Sequence, residues 1–180
     1  MDDVKKAVNV DQDREKFMAF GDKPAILASK GFAECIGAVI AKGNSAIVAH
    51  YTDSDTGLSQ AEDKLASLIN EHKQSLEGGQ AWLYAHVRPY KPDVYISEDN
   101  NKRLEKVIKD NTGITPVRVK YIEPEDLMAD EQGEFKKDED MPKELLHGAM
   151  MVKHSGQPNE TPRVIFVNLD WQRAASEGRS

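Results

Sequence analysis

The fold is decided by the stretch CIGAVIAKGNSAIVAH, which spans residues 35–50. It contains two apolar runs rich in Val and Ile, a composition typical of β-strands. Gly43-Asn44 separates the two runs and is a strong signal for a two-residue hairpin turn. The stretch therefore predicts two adjacent antiparallel strands joined by a tight turn.

The register of this hairpin places the single cysteine near a histidine. With a two-residue turn, Cys35 lies opposite Thr52 and Gly37 lies opposite His50, and side-chain alternation puts all four on one face. Cys35 and His50 are then diagonal neighbours, about 7 to 8 Å apart at the backbone. Gly37 has no side chain and is predicted to leave room for the imidazole. A loop one residue longer or shorter would turn the two side chains to opposite faces.

A cysteine beside a histidine is the arrangement that thiol chemistry needs. The imidazole removes the thiol proton and stabilises the resulting thiolate, which is the nucleophile. The alternative is structural, with Cys35 as a small buried hydrophobe and His50 as a hydrogen-bonded residue at a strand end, because free cysteines are among the most buried residue types. Spacing alone leaves both readings open.

The rest of the chain predicts strands and helices around this hairpin. Residues 1–22 are polar and predict a frayed lead-in or a short helix, whereas residues 123–144 are dominated by Asp, Glu and Lys and predict a solvated acidic loop. A capping box at 59–62 predicts the start of a helix that ends at Gly78-Gly79. The remaining predicted elements are strands at 24–29, 81–87 and 115–122, a helix at 100–111, a hairpin of strands 148–154 and 163–169, and a disordered tail at 172–180.

Two helix–strand units in succession make the class α/β or α+β, with two helices packed on a layered β-sheet or sandwich. The length of 180 residues suits one domain, which we place at residues 23–171. A formal net charge of −7 argues against nucleic acid or an anionic membrane as a partner. A single cysteine excludes an internal disulfide, and no stretch approaches a membrane span or an export signal. We therefore expect a cytoplasmic, soluble protein, with delivery as an effector by another route left open.

The residues around the cysteine resemble CheD, the bacterial chemoreceptor glutamine deamidase. The resemblance rests on SKGFAEC at 29–35, the apolar strand and turn that follow, and Ala-His at the end of the next strand. The fifteen-residue interval from Cys35 to His50 is also similar to that of the cytotoxic necrotizing factor deamidase toxins. The order of elements matches from about residue 24 to residue 123. The resemblance implies Cys35 as nucleophile, His50 as general base and acid, and Ser29 in place of the threonine that positions the histidine.

Two departures from the CheD pattern affect the expected substrate. Ala33-Glu34 stands where CheD has Gly-Ser, and the Glu34 carboxylate would raise the thiol pKa unless alternation turns it to the other side. Residues 85–89, AHVRP, replace the Gly-Gly-Ala motif that follows the next strand. The substrate-binding wall is therefore expected to differ, and chemoreceptor specificity does not transfer.

The function implied by the resemblance is deamidation of a glutamine side chain on a protein substrate, through a thioester and with no cofactor or metal. Backbone N–H groups at Glu34 and Cys35 are the natural oxyanion donors. The alternatives are a protein-binding module on the same fold without chemistry, or a cysteine peptidase or transglutaminase that resolves the same thioester differently. The other histidines, including His86, are interpreted as packed or surface residues. The oligomeric state is not predicted.

Overall fold

The computed structural model of the chain describes residues 6–123, 126 and 147–167. These residues form ten strands and three helices. The strands are β1 (Lys6–Asn9), β2 (Arg14–Ala19), β3 (Ala25–Phe32), β4 (Cys35–Lys42), β5 (Ser45–Thr52), β6 (Gln80–Arg88), β7 (Lys91–Tyr95), β8 (Val117–Tyr121), β9 (Gly148–His154) and β10 (Arg163–Val167). The helices are α1 (Asp55–Glu71), α2 (Lys73–Leu76) and α3 (Glu98–Thr112).

The hairpin of β4 and β5 has the predicted register. Cys35 pairs with Thr52 and Gly37 pairs with His50 across the antiparallel ladder. Gly43 adopts a positive φ of 55° at the turn, a conformation that glycine reaches without the steric cost of a Cβ. The turn chemistry therefore fixes which residues share a face of the sheet.

The architecture consists of three layers, as an α+β class predicts. A six-stranded sheet contains β2, β5, β4, β6 and β7 in that order, with β8 also pairing with β6. A four-stranded sheet in the order β1-β3-β9-β10 covers one face of it, and the helices cover the other. Because strand residues alternate, Ile36 and Ala38 pack towards the helices, whereas Cys35 and Val39 pack between the sheets. Both β4 and β5 are buried along nearly their whole length.

The helices occur where expected but differ at their starts. Helix α1 begins at Asp55, because the Ser54 hydroxyl accepts the backbone N–H of Gly57 at 3.1 Å and caps the helix. The capping box predicted at residues 59–62 is wrong for this reason. Helix α3 ends where predicted, at Gly113 in the left-handed conformation with φ 74°.

The prediction of a frayed lead-in or short helix over residues 1–22 is wrong for the part that the structure describes. β1 pairs in parallel with β3, and β2 pairs antiparallel with β5 at the edge of the large sheet. Their stability comes from ladder bonds to distant strands, so the local sequence gives little sign of them. β7, beyond Pro89, was likewise not predicted, and its pairing with β6 is irregular.

The predicted C-terminal hairpin is confirmed, with β9 and β10 antiparallel. Most of the predicted acidic loop at 123–144 and the whole tail at 172–180 lie outside the described residues. Within the described residues, no helix is both long enough and apolar enough to cross a membrane.

Candidate active site between the two sheets

Cys35 and His50 lie on the same face of the large sheet, in the layer between the two sheets. Cys35 opens β4 and His50 stands opposite Gly37 on β5, as the hairpin register predicts. Both residues are almost sealed from solvent, since each exposes 1% of its surface. The structure therefore places both residues on one face of the large sheet in the core of the sandwich, and within the described residues the thiol makes no hydrogen bond to Nε2 of His50.

Ser29, the third residue of the predicted site, contacts the imidazole of His50. Its position lies within β3, where the Ser29 hydroxyl donates to the Val10 carbonyl at 2.6 Å. The same oxygen lies 2.8 Å from Nδ1 of His50. Because a hydroxyl has one proton to donate, its oxygen accepts the Nδ1–H of the imidazole. The contact assigns the proton of neutral His50 to Nδ1 and leaves the lone pair on Nε2.

The second nitrogen of His50 is left unused. Within the described part of the chain, Nε2 is buried and has no hydrogen-bond partner. Leaving a buried polar atom unsatisfied costs about 1 to 3 kcal/mol, and such atoms in folded proteins call for an explanation. A general base needs a lone pair that is free to accept a proton, and Nε2 of His50 has one.

Aromatic packing fixes the plane of the imidazole. The Phe32 ring stacks on His50 with ring centroids 3.9 Å apart and planes 14° from parallel. A Cβ on Gly37 would lie 2.8 Å from Phe32 Cε1 and 2.7 Å from Met150 Sδ. The space that Gly37 provides is therefore filled by Phe32 and Met150, and the Phe32 ring in turn packs on the imidazole for which Gly37 is predicted to leave room.

Both members of the pair are neutral in this structure. Burial raises the pKa of the Cys35 thiol to about 12, and the carboxylates of Asp13, Glu123 and Asp53 act in the same direction. The thiol donates to the Ala33 carbonyl, with 2.9 Å between sulfur and oxygen. Burial also lowers the pKa of His50 to about 4. The expected thiolate–imidazolium pair is not the resting state.

The two backbone donors proposed for an oxyanion are already engaged. The Glu34 N–H donates to the Glu123 carboxylate, and the Cys35 N–H donates to the Tyr121 hydroxyl at 3.1 Å. Tyr121 in turn donates to the Cys35 carbonyl at 2.6 Å. Glu34 adopts a positive φ of 47°, which is rare for a residue with a side chain. A substrate oxygen would have to displace these side-chain oxygens.

Sequence reasoning missed Tyr121 and Glu123 as neighbours of the cysteine. The sequence places Tyr121 in the strand predicted at 115–122 and Glu123 in the acidic loop predicted at 123–144, without linking either to Cys35. β8 pairs in parallel with β6, and this non-local pairing brings both residues against the end of β4. The alternation of β8 was the available signal, since Tyr121 and Glu123 are two residues apart and share a side.

A cavity of about 330 Å³ lies beside this end of β4, bounded in part by Glu34, His86 and Glu123. Within the described residues, His86, Glu123 and Asp126 place one ligand atom each within 4.8 Å of one another, so these three could hold a metal ion. A larger cavity of about 560 Å³ lies beside the turn at 43–44, at the opposite end of β4 from Cys35, and so has no part in this site.

No protein-family model matches the sequence, and no curated protein matches it. A solved structure with a similar chain course is the C-terminal domain of CNFy from Yersinia pseudotuberculosis. The two share 12% sequence identity with a TM-score of 0.42, and the match covers 90% of this chain and 59% of that chain. The chain thus has a weak similarity, at the level of the fold only, to this domain.

Proposed function

We propose that the chain is a cysteine-dependent amidohydrolase that deamidates a glutamine side chain on a protein substrate. One observation carries the proposal: Ser29 holds Nδ1 of His50 and leaves the Nε2 lone pair buried without a partner among the described residues, on the face that also carries Cys35. A histidine held in this tautomer is ready to take a proton from a nearby thiol.

The reaction follows from these groups. Nε2 of His50 takes the Cys35 proton as the sulfur attacks the glutamine carbonyl carbon, and a tetrahedral oxyanion forms. The imidazolium returns the proton to the amide nitrogen, ammonia leaves, and a thioester remains. His50 then takes a proton from water, hydroxide attacks the thioester carbon, and the sulfur leaves with that proton. The products are a glutamate side chain, ammonia and the free thiol.

Two changes must precede attack. The thiol has to leave the Ala33 carbonyl, and a substrate oxygen has to replace Glu123 or Tyr121 on the backbone donors. A carboxylate accepting the Glu34 N–H occupies the position where negative charge would develop on the substrate. We therefore expect the substrate protein to bind by opening this end of the sandwich.

A non-catalytic binding module is the rival function, and the burial of Cys35 and its raised pKa favour it. The alkylation rate of Cys35 separates the two. An imidazole that deprotonates the thiol makes alkylation slower in His50→Ala than in the wild type, whereas a structural cysteine reacts equally slowly in both. A cysteine peptidase or transglutaminase would share the thioester and differ in products.

The direct test measures ammonia release and the intact mass of a panel of glutamine-containing proteins. We expect release by the wild-type chain, none by Cys35→Ser and none by His50→Ala. His72→Ala is the matched control, because His72 also stacks on a phenylalanine ring, with centroids 3.6 Å apart, but lies outside the site. Equal release by the wild type and Cys35→Ser would overturn the proposal, and peptide cleavage or amine incorporation would replace it with one of the thioester alternatives.

A further inference from the structure

A second cluster of chemically capable side chains lies beside the cysteine, and it shares only Glu123, the acceptor of the Glu34 N–H, with the proposed reaction. His86 on β6 contacts Glu123 through Nδ1 at 3.3 Å and Asp126 through Nε2 at 2.6 Å. The histidine and Glu123 are buried, with side chains 7% and 9% exposed. This cluster combines one imidazole nitrogen with two carboxylates.

We propose that His86, Glu123 and Asp126 form a binding site for a divalent transition-metal cation of the Zn²⁺ class. Imidazole nitrogen and carboxylate oxygen are the ligands that such cations take, and a site with three protein ligands leaves further positions for water. The inference concerns a separate site and does not rest on the proposed function.

The spacing of the ligand atoms suits one cation. Two ligands about 2.1 Å from a tetrahedral ion lie about 3.4 Å apart. The three ligand atoms here lie within 4.8 Å of one another, so small rotations of the carboxylates bring them to that separation. A cation bound to Nε2 of His86 beside Asp126 would leave Nδ1–H to donate to one oxygen of Glu123, so Glu123 would have to bind the cation through its other oxygen.

The charge around the cluster favours a cation. Among the described residues that line the adjoining cavity of about 330 Å³, Arg88 is the one permanently charged cation. Carboxylates outnumber it, and they belong to Glu34, Asp53, Glu123 and Asp126. A divalent cation among these carboxylates would offset part of their negative charge.

Neighbouring groups hold the ligands in place before any ion binds. The Tyr121 ring stacks on His86 with centroids 5.2 Å apart and planes 15° from parallel. The Glu34 N–H donates to the Glu123 carboxylate. Outer partners of this kind orient metal ligands and raise affinity. The cavity supplies the open side on which water could complete the coordination.

Calorimetric titration of the full chain with Zn²⁺ tests the site. A Cys35→Ala background keeps the thiol from acting as a ligand. We expect one Zn²⁺ per chain, with affinity lowered about tenfold or more by a further His86→Gln or Glu123→Gln change. His72→Gln is the control, because His72 contacts Glu71 at 3.8 Å as an ordinary surface histidine–carboxylate pair. That control is expected to keep full affinity.

Equal Zn²⁺ affinity in the control and in His86→Gln would overturn the proposal. Absence of Zn²⁺ binding to the Cys35→Ala chain would overturn it as well. The latter result would mean that His86 serves only as a partner of the two carboxylates. Circular dichroism establishes that each variant is folded. Asp126→Asn, at a side chain 26% exposed, replaces any buried variant that fails to fold and is expected to show the same loss of affinity.

Discussion

The state of one imidazole decides the chemistry available at the core of the sandwich. His50 is buried, its Nδ1 is held by Ser29, and its Nε2 has no partner within the described residues. Burial disfavours the imidazolium and lowers the pKa of His50 to about 4. The ring is therefore kept as a neutral base through the physiological range.

This lowered pKa predicts a pH-dependent stability. Between pH 6.5 and about 4, the unfolded chain binds a proton at His50 that the folded chain does not, so the free energy of unfolding falls as the pH is lowered through this window. The full loss is on the order of 3 kcal/mol. Urea denaturation from pH 7 to pH 4 measures it. His50→Gln is expected to remove this component of the slope and His72→Gln to retain it; identical slopes in all three proteins would contradict the prediction.

Ser29 has a structural effect that is separable from catalysis. Ser29→Ala leaves the buried Nδ1–H of His50 and the Val10 carbonyl without their hydroxyl partner, so we expect a loss of about 1 to 3 kcal/mol in the free energy of unfolding. Nitrogen NMR of His50 provides the second measurement. The wild type is expected to be the Nδ1-protonated tautomer, and the variant to lose that single assignment. An unchanged tautomer in Ser29→Ala would show that another group sets it.

At the scale of the elements, the close approach of β4 to the small sheet depends on one missing side chain. Phe32 at the end of β3 and Met150 on β9 occupy the space over Gly37. Their packing holds the Phe32 ring flat on His50. The gap between the two sheets at the site is therefore set by a glycine in the central strand.

Gly37→Ala is expected to destabilise the protein by about 1 to 3 kcal/mol, because the new Cβ would lie 2.7 Å from Met150 Sδ and 2.8 Å from Phe32 Cε1. Thermal or urea denaturation measures the change. Gly21→Ala is the matched control, since a Cβ there meets no atom within 4 Å. A loss of the same size in both variants would show that packing over Gly37 is not the cause.

For the whole molecule, the sandwich closes over the thiol of Cys35. Cys35 is 1% exposed, its thiol has a pKa near 12, and its backbone donors are held by residues from and after β8. Reaction at the sulfur therefore requires the layers to separate locally. The free energy needed to separate the layers locally therefore limits how often a reagent can reach the Cys35 sulfur.

This closure predicts slow alkylation. At neutral pH, iodoacetamide is expected to modify Cys35 far more slowly in the folded chain than in urea, because the thiol is protonated and buried. Mass spectrometry follows the modification over time. The folded rate is expected to keep rising with pH beyond pH 10, where an ordinary thiol with a pKa of 9.0 is already largely ionised. A folded rate equal to the rate in urea would mean that the site is open.

The sequence by itself determined the part of the site that depends on local rules. A two-residue turn and strict alternation set the Cys35–His50 face, and the apolar patterns located both long helices and the C-terminal hairpin. The tertiary structure alone decided that β1 and β2 are strands, that Phe32 and Met150 fill the space over Gly37, and that Tyr121 and Glu123 engage the backbone donors. Each of these depends on contacts between residues far apart in the chain, whose partners local propensity does not encode. Burial in the assembled layers likewise decided that the cysteine and histidine rest as neutral groups.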